Sequence, residues 1–492
     1  MKSLAIRNGL WNALSNVAGG LSAILGSIII VRSLDPESYG TFSYYMWLAS
    51  MLITLGTLAF PTSLTKVTAE LIGKDEASEA SALSRSVVLG LVLLNLLIAG
   101  SVILWAFLGS PERQPYLLVI AALIVPSAAA GILLSVFWGQ ERYRPVSILY
   151  VVASSVQIIL IVLAFQMDLG IQGFIAASLS ANVIQSIGLT ILITIRGEQG
   201  TSTPRSFSLP QRGTIRHFAA FTTPATLVQI FAVIVWERSE IFFLERLSTI
   251  EQVGIYGVAY TMFTMTMYLG WALVNGFYPA LSRDYGAGRW DAIREKFQQA
   301  ISVATLYAVP LTFGAIVCME RIIVTLYGEK MLPAVPVAQI LMAGLTTAVI
   351  ASVLGISVTA VGGIWTHVRL GFLMSIINIV LSLVLIPPFG AIGAAIGNTV
   401  SQAIHVVILA VLVRHRYSMR LPYLQMARII GAGMVSGLMI PLIVLSQIPG
   451  AFGLLLAVAT GGASYAAAIW LQGLDQLLST SELAPQSQPV GD

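Results

Sequence analysis

Apolar residues run along this chain in blocks of about twenty or more, separated by short polar stretches. Neither the one-sided stripe of a soluble helix nor the alternation of a strand dominates. A block of that length crosses roughly 30 Å of hydrocarbon as a helix rising 1.5 Å per residue. Fourteen are found, with approximate limits 10–34, 40–63, 82–108, 117–138, 146–166, 171–195, 217–246, 253–281, 299–320, 335–361, 368–388, 390–413, 427–447 and 451–471. Helix is the expected form, because an unsatisfied amide in lipid costs several kcal/mol. The first block is too long for the apolar region of a signal peptide and is read as a retained span. The polar tail, 472–492, is expected to be disordered and cytoplasmic.

Lysine and arginine then orient the chain. Twenty of the 26 fall on one side of the alternating spans; Arg32, Arg113, Arg238, Arg246, Arg321 and Lys330 fall on the other. The positive-inside rule puts the rich side, and both termini, in the cytoplasm. The location expected is the plasma (inner) membrane.

Composition agrees: 57% of the 492 residues are hydrophobic and 10% charged, against about 25% charged in soluble domains. The net charge is only +4 and follows topology, so no nucleic-acid partner is expected. One cysteine, Cys318, leaves no intramolecular disulfide.

Two parts of the chain resemble each other. After the first span comes Glu37-x-x-Gly40-x-Phe42, and after the seventh, Glu251-x-x-Gly254-x-Tyr256. Pro61 followed by Lys66 answers to Pro279 followed by Arg283, and Gly170/Gly173 to Gly390/Gly393. The offsets 214, 218 and 220 agree as a duplication with small insertions should. An even number of spans separates the copies, so the repeats are parallel in the membrane. The expected fold is an all-α polytopic membrane protein with about 14 transmembrane helices. Residues 1–195 form an N-lobe (spans 1–6) and 217–413 a C-lobe (spans 7–12), two parallel-repeat six-helix lobes around a central cavity. The basic stretch 196–216 is a cytoplasmic linker, and 414–471 adds spans 13 and 14. Gly393-x-x-x-Gly397 and Gly433-x-x-x-Gly437 have the spacing of close helix packing.

The run WERSE, 236–240, interrupts apolar sequence with Glu237, Arg238 and Glu240. Hydropathy alone places them in an outer loop; the repeat places them inside the outer half of the seventh span. A charge at a span's centre costs about 2.5–3.5 kcal/mol on insertion scales, so it faces a wet cavity or a partner. A guanidinium can grip a phosphate bidentately, and the carboxylates can take H+ or Na+. The alternative is that the three neutralise one another. Lys66 and Arg283 form a matched pair on the cytoplasmic side, able to attract an anionic headgroup. Asn378 could line the cavity, as could Asn12, Asn16, Gln157, Gln229, Asn275, Asn398, Gln402 and His405; an interhelical hydrogen bond is the commoner role for each.

No phosphate-binding loop, H-E-x-x-H or G-x-S-x-G occurs, and the loops are too short for a catalytic domain, so a transporter and not an enzyme is expected. Together with the span number, the duplicated E-x-x-G-x-[FY] element and the run VRSLDPESYGTFSYYMWLASMLITLGTLAFPTSLTKVTAEL resemble the polysaccharide transporter family. These are the Wzx-type O-antigen and capsule flippases of the multidrug/oligosaccharidyl-lipid/polysaccharide exporter superfamily. The resemblance implies a monomeric flippase without cofactor, moving a polyprenyl-pyrophosphate-linked oligosaccharide to the outer leaflet by alternating access. Membrane lipid, a polysaccharide polymerase and glycosyltransferases are the implied partners. Arg238 would hold the pyrophosphate. A cation-coupled multidrug exporter and a non-transporting scaffold of a polysaccharide synthase are the alternatives.

Overall fold

The computed structural model describes residues 2–140, 142–196, 209–236, 239–439, 448 and 450–473. Among these there is helix and no strand. Side chains of Asn12, Asn16 and Asn275 and of Pro279, like the tail beyond Gly473, lie outside the described part.

The chain divides into two compact units, Met1–Gly254 and Ile255–Asp492. The first holds α1 (Lys2–Ser33), α2 (Pro36–Thr57), α3 (Phe60–Gly73), α4 (Ala77–Leu108), α5 (Gln114–Gly139), α6 (Tyr143–Gln166), α7 (Gly170–Arg196), α8 (Arg212–Trp236), α9 (Glu240–Leu247) and the first turn of α10 (Ile250–Gly286). Helix α5 is its hub, touching α2, α3, α4 and α7, while α1 lies against α6. A core of Leu64, Val67, Leu83, Leu91, Ile132 and Phe218 joins α3, α4, α5 and α8.

Helix α4 shows why these elements need lipid. Leu91, Asn95, Ala99, Val102 and Ala106 are buried along one face at spacings of three and four. The other face exposes Leu89, Leu93, Leu97, Leu104 and Leu108. Soluble helices put charge on that face; here it is leucine, a surface suited to acyl chains.

The second candidate span is broken rather than continuous. Pro61 has no N–H to offer the Thr57 carbonyl, so the helix cannot run through. It stops at Thr57, Leu58 turns back at φ +46°, and α3 starts at Phe60. The released Gly56 carbonyl accepts a hydrogen bond from Asn95 Nδ2 at 2.8 Å. In hydrocarbon such a side chain does what water would do outside.

The second unit holds the rest of α10, α11 (Trp290–Tyr327), α12 (Ala334–Ala343), α13 (Leu345–Ala360), α14 (Ile364–Tyr417), α15 (Tyr423–Met434) and α16 (Gly450–Leu471). Helices α12 and α13 meet at Gly344 at a bend of 40° and are long and apolar enough to cross a membrane only together. Helix α14 folds back on itself at Gly390, φ +55°, a backbone region that favours glycine. A Cβ on Gly393 would overlap the Leu385 carbonyl, and one on Gly397 would touch Leu381. As one position rises the other falls, so the limbs are antiparallel, each about 26 residues or roughly 39 Å. Gly433 and Gly437 lie against Val309 and Phe313 of α11. Among the described residues nine helices are long and apolar enough to cross a membrane, or ten with the bent pair; the hairpin in α14 divides one of them in two.

Candidate functional site

Helix α8 closes at Trp236 and α9 opens at Glu240. Glu237 and Arg238, between them, lie outside the described residues. Glu240 is 1% exposed and is followed by buried Ile241 and Leu244. Five residues on, Glu245 receives Arg113 Nη2 at 3.1 Å and Arg246 Nε at 3.0 Å. Arg113 directly precedes α5, so this end of α9 stands level with the α4–α5 loop, on the side poor in Lys and Arg. Glu240 sits about 7 Å deeper along the helix. Around the ion group Tyr45 stacks on Tyr116 with centroids 4.6 Å apart, and Trp47 lies 6.3 Å from Phe242. Sequence reasoning passed over the Arg113–Glu245 pair. The available signal was that Arg113 and Arg246 are two of only six basic residues on that side.

Lys66 lies at the other end of the first unit. Its Nζ sits 3.8 Å from the centroid of the Phe221 ring and 3.9 Å from Glu70 Oε1, one helical turn along α3. Glu70 Oε2 is 2.8 Å from His217 Nε2 of α8. The Lys66 side chain remains 46% exposed, so an aromatic ring and a carboxylate orient the ammonium while leaving room for an anion. Phe221 is 15 residues before the end of α8, roughly 22 Å. Lys66 and Glu240 therefore serve opposite ends, not one pocket.

Arg283 is exposed in the last turn of α10, in the second unit. Beside it the buried Asp284 carboxylate binds Arg289 Nη2 and Lys296 Nζ, both at 2.6 Å, which ties α10 to the start of α11. Asn378 is buried on the first limb of α14; Asn398, Gln402 and His405 are buried on the second. Together they place amides and an imidazole in the interior of the second unit. Gln157 makes interhelical bonds: it accepts from Ser22 Oγ at 3.1 Å and donates to the Ser178 carbonyl.

Comparison with known proteins places this arrangement. The family described as polysaccharide biosynthesis protein matches residues 5–284, more than half of the chain, and the MatE family matches 224–385. A relative from Haloferax volcanii, the probable low-salt glycan biosynthesis flippase Agl15, is 20% identical over 413 residues, 84% of either chain. Among solved structures, the lipid II flippase MurJ in an inward closed conformation superposes with a TM-score of 0.72 at 15% identity, covering 96% of this chain and all of that one. An inward-facing multidrug resistance MATE family transporter of the MOP superfamily gives 0.66 at 15% identity, covering 82% and 94%. At these identities the two structures establish a shared fold. The resemblance drawn from the sequence thus agrees with these matches, and the chain, with at least nine helices among its described residues long and apolar enough to cross a membrane, belongs to the polysaccharide biosynthesis protein family.

Proposed function

We propose that the protein turns a polyprenyl-pyrophosphate-linked oligosaccharide from the cytoplasmic to the outer leaflet of the plasma membrane by alternating access. The polysaccharide family match over 5–284 carries this reading. A bare pyrophosphate cannot cross hydrocarbon, so cationic groups must receive it while the polyprenyl tail stays in the bilayer. The half-exposed Lys66 and the exposed Arg283 stand at the Lys/Arg-rich ends of their helices, which the positive-inside rule makes cytoplasmic. They are the loading groups. Arg238 grips the phosphates further along, and Glu237 and Glu240 are the carboxylates through which H+ or Na+ couples. Polymerase and glycosyltransferases act before and after the transfer.

The MatE match over 224–385 favours a second reading, a cation-coupled multidrug exporter. A deletion strain of the native host separates the two. Under the flippase reading, lipid-linked oligosaccharide accumulates on the cytoplasmic leaflet and a surface polymer is lost. Wild type restores export and Arg238→Ala does not. Normal lipid-linked sugars with new sensitivity to cationic drugs would replace this reading by the exporter.

A further inference from the structure

Helices α15 and α16 pack on α11 and on each other. Where α15 starts and α16 ends they leave a cavity of about 460 Å³, lined by Arg428, Gly431, Ala432 and Gln472. That volume falls within the roughly 300–1,000 Å³ of small-molecule pockets. Arg428, Gly431 and Gln472 are exposed, so the cavity opens outward. Ala432 is buried in a core with Ile429, Tyr465 and Ile469 and closes the inner side. All four lining residues lie in the second unit.

Two observations point to an occupant. The first is charge. The chain has no Asp or Glu between Glu329 and Asp475, yet Arg414, Arg416, Arg420 and Arg428 fall in that stretch. No carboxylate among the described residues lies within ion-pair distance of Arg428. The second is Gly431, one turn along the same face of α15. Glycine inside a helix costs about 1 kcal/mol against alanine. Gly433 and Gly437 have a reason for it, since they press on Val309 and Phe313. A Cβ on Gly431 would meet nothing within 4 Å. Packing within the chain does not ask for glycine there; room for something outside the chain does.

Depth in the bilayer selects the occupant. Tyr423 and Leu424 at the opening of α15, and Trp470 and Leu471 at the close of α16, are exposed. Tryptophan and tyrosine favour the headgroup level of a membrane. This end of α15 follows the arginine-rich loop, which the positive-inside rule makes cytoplasmic. The cytoplasmic leaflet carries anionic lipids, and basic pockets between spans on that side take their headgroups. A guanidinium offers two parallel N–H groups to a phosphate, and Gln472 can add an amide donor. One cation matches the single negative charge of a phosphodiester, not the several of a pyrophosphate.

We propose that this cavity is a site for an anionic glycerophospholipid, with its phosphodiester on Arg428 and Gln472 and its glycerol over Gly431. The lipid is a resident of the bilayer and not the cargo. Native mass spectrometry of the full-length, delipidated protein in detergent, titrated with phosphatidylglycerol, gives the dissociation constant of the first bound lipid. Arg428→Gln should weaken it about fivefold. Gly431→Leu keeps the charge and fills the space, and should weaken it as much. Arg420→Gln removes an exposed arginine that does not line the cavity, and should change little. Equal loss in Arg420→Gln would mean a diffuse basic surface, and no loss in Arg428→Gln a cavity without this ligand; either overturns the site. The arginine pair decides this even where Gly431→Leu does not fold. Phosphatidylcholine binding as tightly as phosphatidylglycerol, or inorganic phosphate displacing the lipid at equal concentration, also overturns it. Tighter binding of a polyprenyl pyrophosphate in the same place would make the cavity a station of the cargo and refute the resident lipid. Binding is read without transport, so failure of the flippase reading leaves these outcomes as they stand.

Discussion

Asn95→Ala tests how the broken second span is held. Asn95 is fully buried and donates from Nδ2 to the Gly56 and Leu91 carbonyls, each at 2.8 Å. The Leu91 carbonyl faces Asn95's own amide one turn along α4 and loses little. The Gly56 carbonyl is the one released where α2 stops, and alanine leaves it without a donor. Interhelical hydrogen bonds in membranes average about 0.6 kcal/mol and reach about 1.7, while an orphaned buried acceptor costs about 1–3 kcal/mol. A loss of about 2 kcal/mol is expected, read as a fall of roughly 2 °C in the melting temperature of the detergent-solubilised protein. Asn95→Leu keeps the volume and removes the donor, so it should lose as much. Alanine within about 0.5 kcal/mol of wild type would refute the reasoning. Full rescue by leucine would show that volume, not the donated bond, holds the break.

Two further outcomes follow. Glu245→Gln should destabilise by about 1 kcal/mol and more than Arg113→Ala, because it leaves two guanidiniums together while Arg113→Ala leaves Glu245 with Arg246; the double variant should be less than additive in thermal melts. Asp35→Ala should cost about 1 kcal/mol as a lost helix cap. The backbone and side-chain hydrogen bonds from Ser38 hold the Asp35 carboxyl below its ordinary value of 3.8. A depressed folded value means the contribution is complete above the unfolded value and lost as pH falls through the folded one. Melting temperature should therefore drop less between neutral and acid pH in Asp35→Ala than in wild type, and parallel profiles would refute the cap.

The apolar blocks made the helices legible because lipid removes the ambiguity that soluble sequences carry: a block of twenty apolar residues has few other fates. Breaks were harder to see. Pro61 could have signalled the stop at Thr57, but the compensating donor, Asn95, is 39 positions away from Gly56, and sequence spacing says nothing of such a pair. The fold-back of α14 needs Gly390 at positive φ, and the offset of Gly390 from Gly170 marked the position without revealing the hairpin. Of the charged residues singled out, Lys66 is held by neighbours on two helices, Phe221 and Glu70. Positive-inside counting registers a charge's side and not its neighbours.

The leucine face of α4 has a consequence for handling the protein. Leu89, Leu93, Leu97, Leu104 and Leu108 stand exposed along one helix, and each such side chain gains about 1.5–3 kcal/mol when it is taken out of water. Stripped of lipid and detergent, molecules of this protein would cover those faces with one another. Detergent removal should therefore precipitate the chain without unfolding it, and the helical content of the precipitate should match that of the solubilised protein.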